Sequence, residues 1–402
     1  MHSSKKIIAS EGKAFAKKKV VLCITGSVAA ARCPELARAL MRQGAEVHCV
    51  MSESAQKLIG KDLLHWATGN PVITELTGET EHITYCGDHE EKASLLLVMP
   101  STANTISKIA RGIDDTPVTT FASTALGSKT PIVIVPAMHY SLYANPFVSE
   151  NLEKLERAGV SIVPPRLEGG KAKIAENQEI MDYCERALAR QPLAGKTVLV
   201  TAGPTREYAD DVRFISNPST GKMGVEIARQ AWVHGARVLI VAGNLGLEVP
   251  SYLTRIAAFT AGEMRAAVKH YSKSSDIIIL AAAPADYQPE KQAGKISSRQ
   301  EFLSLRLRAT AKTSDSVKKW SPKAMLVLFK AESRKTDKEL KKAALEKLRA
   351  CKADLIVAND ISREGAGFAV GTNQVLLIDK KGKARKIKGT KKEVAEKIVG
   401  AL

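Results

Sequence analysis

Val20-Val-Leu-Cys-Ile-Thr-Gly-Ser27 is a continuous apolar run that stops on a glycine–serine turn, and a helical pattern follows it to about Gln43. A run without polar alternation, feeding a helix through a tight turn, is the signature of a parallel strand covered on both faces. Ala45–Met51 is the next such run. The design recurs further on, where Thr197–Thr201 leads into Ala202-Gly203-Pro204 and a long loop. A helix spans roughly Gly221 to His234, and a strand Arg237–Val241 comes after it. Leu95–Met99, Ile132–Val135, Ile277–Ala281, Leu326–Phe329, Leu355–Ala358 and Val375–Ile378 fit the same scheme. The expected fold class is therefore α/β: two doubly wound, Rossmann-like domains with mainly parallel sheets. Ala189–Gly195, near the midpoint, reads as the linker. The expected organisation is a leader at 1–18 and domains at 19–190 and 191–402.

A length of 402 residues suits two or three domains. Hydrophobic residues at 45% and charged ones at 25% exclude a mostly disordered chain. No apolar run has the length of a membrane helix. The stretch from Met1 to Lys19 is Lys-rich, lacks a signal-peptide core, and reads as a basic leader with room to be flexible. Six dispersed cysteines form no C-x-x-C pair, so zinc and disulfide frameworks are disfavoured and a reduced, cytoplasmic setting is expected. The net charge is +18, yet residues 1–190 hold 22 basic and 21 acidic side chains while residues 191–402 hold 38 and 21. An excess confined to the second half suits an anionic ligand, nucleic acid or a solvated lysine surface. With aromatics at 5% and no interleaved basic–aromatic motif, nucleic acid is the weakest of these.

Doubly wound sheets bind ligands beyond the C-terminal ends of their strands. The unusual residues fall there: Gly26-Ser27, Pro100-Ser-Thr-Ala-Asn104, Pro136-Ala-Met-His139, Ala202-Gly-Pro-Thr-Arg206, Ala282-Ala-Pro-Ala-Asp286 and Asn359-Asp360. Gly26-Ser27 offers backbone N–H groups and a hydroxyl to an anion, but it is not G-x-G-x-x-G, which argues against an ordinary dinucleotide site. Helix capping explains any one hydroxyl of Pro100–Thr105, and a phosphate explains the group. His82 reads as surface decoration in isolation, and Lys173 as a loop charge. Ser219-Thr220-Gly221-Lys222 fails as a Walker-type loop, since Ser216 and Met223 replace its glycine and hydroxyl residue.

From Lys19 to Tyr183 these residues resemble the phosphopantothenoylcysteine decarboxylase half of the bifunctional coenzyme A biosynthesis proteins, which belong to the FMN-dependent, homo-oligomeric cysteine decarboxylases. The resemblance implies His82 as catalytic base or acid. It implies an FMN site of Gly26, Ser27, Ser52, Pro100, Thr102, Asn104, Thr119, Thr120 and His139. Bacterial members usually have Asn where His139 stands, and a proton-donating flap Cys where the nearest match is Lys173; archaeal-type members resemble the present pattern. Asn145 is a candidate for the lost amide.

From Leu193 to Ile378 the chain resembles the phosphopantothenate–cysteine ligase half, through Asp211–Gly224, Ala281–Tyr287, Gly294-Lys295-Ile296, Phe329–Glu332 and Ala358–Asp360. Asn217 is then expected to process an acyl-cytidylate, with Arg213 supporting that site. Ala283, Asp286, Lys295, Ser314, Asp315, Ser316, Val317, Phe329, Lys347 and Cys351 are expected at CTP. Cys351 occupies the place of a second lysine, whose role passes to Lys352 or vanishes. The resemblance implies 4'-phosphopantothenate, L-cysteine and CTP as substrates, with Mg²⁺ as a further cofactor. It also implies no nucleic acid or membrane partner, and a dodecamer built from trimers and dimers. A ligase with a catalytically altered, regulatory flavoprotein half is the competing expectation. The Lys380–Lys392 run lies outside every motif and reads as a solvated turn or edge face.

Overall fold

The computed structural model describes residues 2–169, 171–297, 302–367 and 370–402. They form two compact units, Met1–Arg190 and Gln191–Leu402.

The first unit contains a six-stranded sheet of β1 (Lys19–Ile24), β2 (Glu46–Met51), β3 (Val72–Ile73), β4 (Leu95–Ser101), β5 (Ile132–Pro136) and β6 (Ser161–Ile162). Their order is β3-β2-β1-β4-β5-β6 and every pairing is parallel. Successive side chains of a strand point to opposite faces, and the sheet uses both. Leu95, Leu97 and Met99 of β4 join Leu22, Ile24, Leu36 and Leu40 in one apolar layer. Leu96 and Val98 join Cys23, Ile106, Phe121 and Leu152 in the other. All seven residues of β4 are buried, the expected fate of a central strand without polar alternation.

The second unit holds β7 (Thr197–Ala202), β8 (Arg237–Ala242), β9 (Thr254–Ala257), β10 (Ile277–Leu280), β11 (Met325–Glu332), β12 (Leu355–Asp360), β13 (Thr372–Asp379) and β14 (Ala384–Thr390). The order is β9-β8-β7-β10-β11-β12-β13-β14. The first six strands are mutually parallel. The last two are not: β13 runs antiparallel to β12, and β14 antiparallel to β13. Val375–Ile378 is thus a strand as expected, with the opposite direction. A parallel neighbour needs a crossover, usually helical; the described residues between Asp360 and Thr372 hold no helix, and Gly382 at φ 81° turns a tight hairpin before β14. The loop after Ala202 carries a small antiparallel hairpin, Arg206–Tyr208 with Phe214–Ser216.

The basic leader is not a loose appendage. Ser3–Ile7 forms a 3-10 turn whose Ser4 hydroxyl donates to the Trp66 carbonyl. The Ala9 N–H donates to the Met41 carbonyl at 2.9 Å, and Phe15 is only 1% exposed within the first apolar layer. All six cysteines are free and buried, and burial pushes the Cys49 and Cys86 thiols up to about 12. Phe15→Ala is expected to destabilise the first unit by about 3–5 kcal/mol, as aromatic truncations in cores do. Denaturant unfolding checks this; a loss under about 0.5 kcal/mol would mean the leader is surface decoration.

Candidate functional site

The second unit has a cleft of about 580 Å³ at the C-terminal edge of its sheet. One wall is the start of the helix Lys222–Val233, which no side chain caps. Gly221, at φ 78°, precedes it; a Cβ there would lie 2.2 Å from Leu245 Cδ2 and 3.1 Å from Gly203 Cα. A Cβ on Gly224 would lie 2.7 Å from Ala202 Cβ. These two glycines let the helix descend onto the end of β7, where its first residues line the cleft.

Asn217 closes the cleft from the preceding loop. Its Nδ2 donates to the Ala283 and Pro284 carbonyls, each at 3.1 Å, which fixes the amide against the Ala281–Asp286 loop. Ala283, Asp286, Ser314, Phe329 and Lys347 line the same space. Lys312 ion-pairs with Asp286, Lys347 with Asp315 at 2.8 Å, and Lys330 with Glu332 at 2.7 Å. The Lys347 bond holds the Asp315 carboxyl below its ordinary range. Burial lowers the Lys347 ammonium, yet the Asp315 contact outweighs it and the pKa rises. Cys351 donates its thiol to the same Asp315 oxygen at 3.4 Å.

Several expected residues stand outside this lining. Asp315, Ser316, Val317 and Cys351 lie behind it, and Lys295 sits on a separate loop. Arg213 also stands outside; its Nη1 donates to Asp210 at 2.8 Å and to the Ile296 carbonyl at 2.9 Å. Asp210 further accepts from the Val212 N–H at 2.7 Å and the Ile296 N–H at 3.0 Å. Arg213 therefore ties the Lys295-bearing loop to the hairpin, which is a positioning task. Sequence reading missed Lys222, Lys312, Lys330, Asn373 and Lys391 as cleft residues.

The first unit carries its polar residues on the corresponding edge. Ser27, Ser52 and Thr102 each cap a helical turn by accepting a backbone N–H. The Thr25 hydroxyl donates to the Pro100 carbonyl at 2.7 Å and accepts the Thr102 N–H at 3.2 Å, joining the ends of β1 and β4. Gly26 approaches Ser54 so closely that a Cβ would lie 2.5 Å from Ser54 Cβ. Asn104 is exposed on the first turn of Ala103–Arg111. Thr119 and Thr120 are less available: Thr119 completes the capping box of Pro117–Gly127, and Thr120 donates to Asp114 and to the Thr116 carbonyl. His82, on Glu81–Cys86, has a buried Nδ1 without a partner among the described residues, as does Ser101 Oγ. Met138–His139 pairs with Lys171–Lys173, which pairs with Arg166–Glu168. The exposed Lys173 therefore shares a three-stranded flap with His139, opposite Arg166. Asn145 Oδ1 accepts from the Phe147 N–H at 2.9 Å as a helix cap, so its carbonyl already has a structural task.

Among the described residues, no three His, Cys, Asp or Glu gather as a metal cluster, and no helix is long and apolar enough to cross a membrane. The DNA/pantothenate metabolism flavoprotein C-terminal domain matches residues 193–402, and the flavoprotein family matches residues 8–189. A coenzyme A biosynthesis bifunctional protein CoaBC of Thermococcus kodakarensis is 46% identical over 402 residues, covering 99% of this chain and 98% of the relative. Its counterpart in Methanocaldococcus jannaschii is 37% identical over 401 residues, covering 99% and 96%. A crystal structure of a CoaBC C-terminal domain, 34% identical, covers 52% of this chain and 95% of its own with a TM-score of 0.45. The chain belongs to the CoaBC family of bifunctional coenzyme A biosynthesis proteins.

Asp210 carries the sharpest structural test. Its N–H donors, the Arg213 amide first, hold its carboxyl far below the usual aspartate range. The bonds it makes are therefore intact above about pH 4 and weaken only as pH falls through the depressed folded value. Asp210→Asn is expected to speed amide hydrogen exchange at Arg213 and Ile296 by on the order of tenfold, since charged acceptors hold donors more strongly than neutral ones. Unchanged exchange would remove Asp210 as the anchor.

Proposed function

We propose that residues 191–402 join 4'-phosphopantothenate to L-cysteine using CTP, and that residues 19–190 decarboxylate the product to 4'-phosphopantetheine with FMN. The observation that carries the ligase assignment is the charge of the cleft: five lysines line it against one carboxylate, Asp286. Both phosphate-bearing substrates are multiply anionic, which accounts for the basic half of the chain. In the reaction, the substrate carboxylate attacks the α-phosphorus of CTP and pyrophosphate leaves. The cysteine amine then attacks the acyl carbon, and CMP departs with the bonding pair. Asn217, its amide fixed by two carbonyls, orients the acyl group through its remaining hydrogen-bonding capacity. Lys347 and Lys312 neutralise charge on the phosphate chain. Mg²⁺ would enter on the triphosphate, its usual carrier. Lys295 is the further expected contact, on the loop that Arg213 and Asp210 position.

On the first unit, orphaned polar atoms and capped turns at one sheet edge suit a flavin phosphate and ring. The FMN contacts assigned to Gly26, Ser27, Ser52, Pro100, Thr102, Asn104 and His139 belong to this reading. Thr119 and Thr120 would join only by rearranging their present bonds. FMN bound here would supply the two-electron chemistry, with no net oxidation, that loss of CO₂ from a β-thiol acid requires. His82 takes or gives the proton at the substrate sulfur through its unpartnered Nδ1, and Lys173 delivers a proton from the flap. A homo-oligomer, with trimers and dimers building a dodecamer, is supported by exposed apolar side chains such as Val28 and Phe147 in one unit and Val212 and Tyr287 in the other. Free, buried cysteines and this metabolite chemistry support a cytoplasmic setting.

The two chemistries separate by mutation. Incubation with 4'-phosphopantothenate, cysteine, CTP and Mg²⁺ should release pyrophosphate and CO₂ from a yellow protein. His82→Asn is expected to cut CO₂ release by on the order of 10²-fold or more while pyrophosphate continues; Asn217→Asp should still release a first pyrophosphate per site and then stall at the acyl-cytidylate, so that sustained turnover and CO₂ are lost. Pyrophosphate without CO₂ from the unmutated protein would favour the regulatory reading of the first half, which His139 and Lys173 motivate. Loss of neither product in the variants would contradict both residue roles.

A further inference from the structure

The loop that brings Lys312, Thr313 and Ser314 to the cleft is held from behind by a cation that stands outside the lining. Thr260 and Glu263 form a capping box that starts the helix Ala261–Tyr271. Ala261, Met264 and Val268 are its buried face, so Arg265 falls at the margin of that face, one residue past Met264, which lines the cleft. The Arg265 guanidinium donates through Nη1 to the Lys312 carbonyl at 3.2 Å and through Nη2 to the Ser316 hydroxyl at 3.1 Å. Its centre lies 4.8 Å from the centroid of the Trp320 ring. Trp320 in turn packs against the buried apolar cluster of Val317, Leu326 and Leu348.

Lys312 is consequently pinned at both ends, its carbonyl by Arg265 and its ammonium by Asp286. Upstream, Thr310 donates its N–H to the Asp286 carbonyl at 2.9 Å and its hydroxyl to the Ala285 carbonyl at 2.7 Å. Between Lys312 and Ser316 lies the single 3-10 turn Thr313–Asp315. The Asp315 and Ser316 N–H groups close it on the Lys312 and Thr313 carbonyls at 3.4 and 3.0 Å. One such turn holds its position poorly, and a planar fork across both of its ends supplies what it lacks.

We propose that Arg265 is a positioning residue for nucleotide binding: it touches no substrate, and its fork across Lys312 and Ser316 sets the turn that presents Lys312 and Ser314 to the phosphate chain. This rests on the ligase reading above for the identity of the nucleotide, but the group recognised is a phosphate chain whatever carries it. Fixing the loop before the anion arrives lowers the ordering cost of binding. Ser316, expected at CTP, serves instead as an acceptor for Arg265.

Arg265→Met removes the fork and the charge but keeps an apolar stem on Trp320; Ser316→Ala removes one acceptor and is the milder variant should the first fail to fold. Loss of these charge-assisted bonds is expected to raise the KM for CTP on the order of tenfold in Arg265→Met and less in Ser316→Ala, with the KM for L-cysteine within about twofold of its unmutated value. Hydrogen exchange at Asp315 and Ser316 should quicken in both variants without nucleotide. Arg265→Lys restores the charge but not the planar fork, so most of the loss should remain. Full recovery of CTP affinity by lysine, an equal rise in KM for every substrate, or unchanged KM and exchange overturns the proposal. Calorimetric titration with inorganic pyrophosphate supplies an arm independent of turnover: the unmutated full chain should bind it, and Arg265→Met should weaken it about tenfold. If the unmutated chain releases no pyrophosphate from CTP but this weakening is seen, the ligase reading fails and the clamp stands; equal pyrophosphate binding by the two proteins removes the clamp.

Discussion

Parallel strand pairing is the constraint from which the rest follows. Each crossover returns the chain to the same end of the sheet, so every strand in β1–β5 and in β7, β8, β10, β11 and β12 delivers its following loop to one edge. Loops distant in sequence, such as 217–224, 281–286 and 310–314, thereby meet at one cleft. The strands add to the cleft only residues near their C-terminal ends, such as Phe329 and Lys330 of β11. The apolarity of the central strands buries the sheet on both faces, and their polar residues are left near the strand ends.

Electrostatics then organises the second unit's edge. Acidic residues are few in the lining, and those nearby act on lysines rather than on ligand: Asp286 on Lys312, Asp315 on Lys347 and Glu332 on Lys330. Each pair orders a long side chain before an anion arrives, reducing the conformational entropy lost on binding. Behind the lining, Asp360 does comparable work on the backbone, accepting the Arg334 and Lys335 N–H groups at 3.0 Å and holding the turn after β11. The first unit is more economical with charge, and its edge is built from caps and hydroxyls.

Strands were legible because buried parallel strands leave long apolar runs, and Thr197–Ala202 or Leu95–Ser101 could hardly be anything else. The direction of Val375–Ile378 was not, because direction depends on whether a crossover intervenes, and the run itself is equally apolar either way. The leader misled through composition: its lysines are solvated, but Phe15 decides its packing. In the site, motif-bearing loops were placed correctly at strand ends, and Asn217, Asp286, Phe329 and Lys347 share one cleft. The resemblance gave Arg213 a supporting role; its partner is Asp210, whose short-range bonds no spacing reveals. Thr119 shows a related ambiguity, because a threonine that caps a helix and one that faces phosphate occupy the same kind of position. Lys391 could have been found from Thr390 and Glu393, which mark a helix start inside the lysine run.

Hydrogen exchange of the full chain with and without CTP tests most directly whether the C-terminal strand edge is where this protein works. Slowed exchange at residues 217–224, 281–286 and 310–314, with none at 273–276 or 321–325 on the opposite edge, is the predicted pattern. Protection confined to that opposite edge, or absent altogether at saturating nucleotide, would contradict the account.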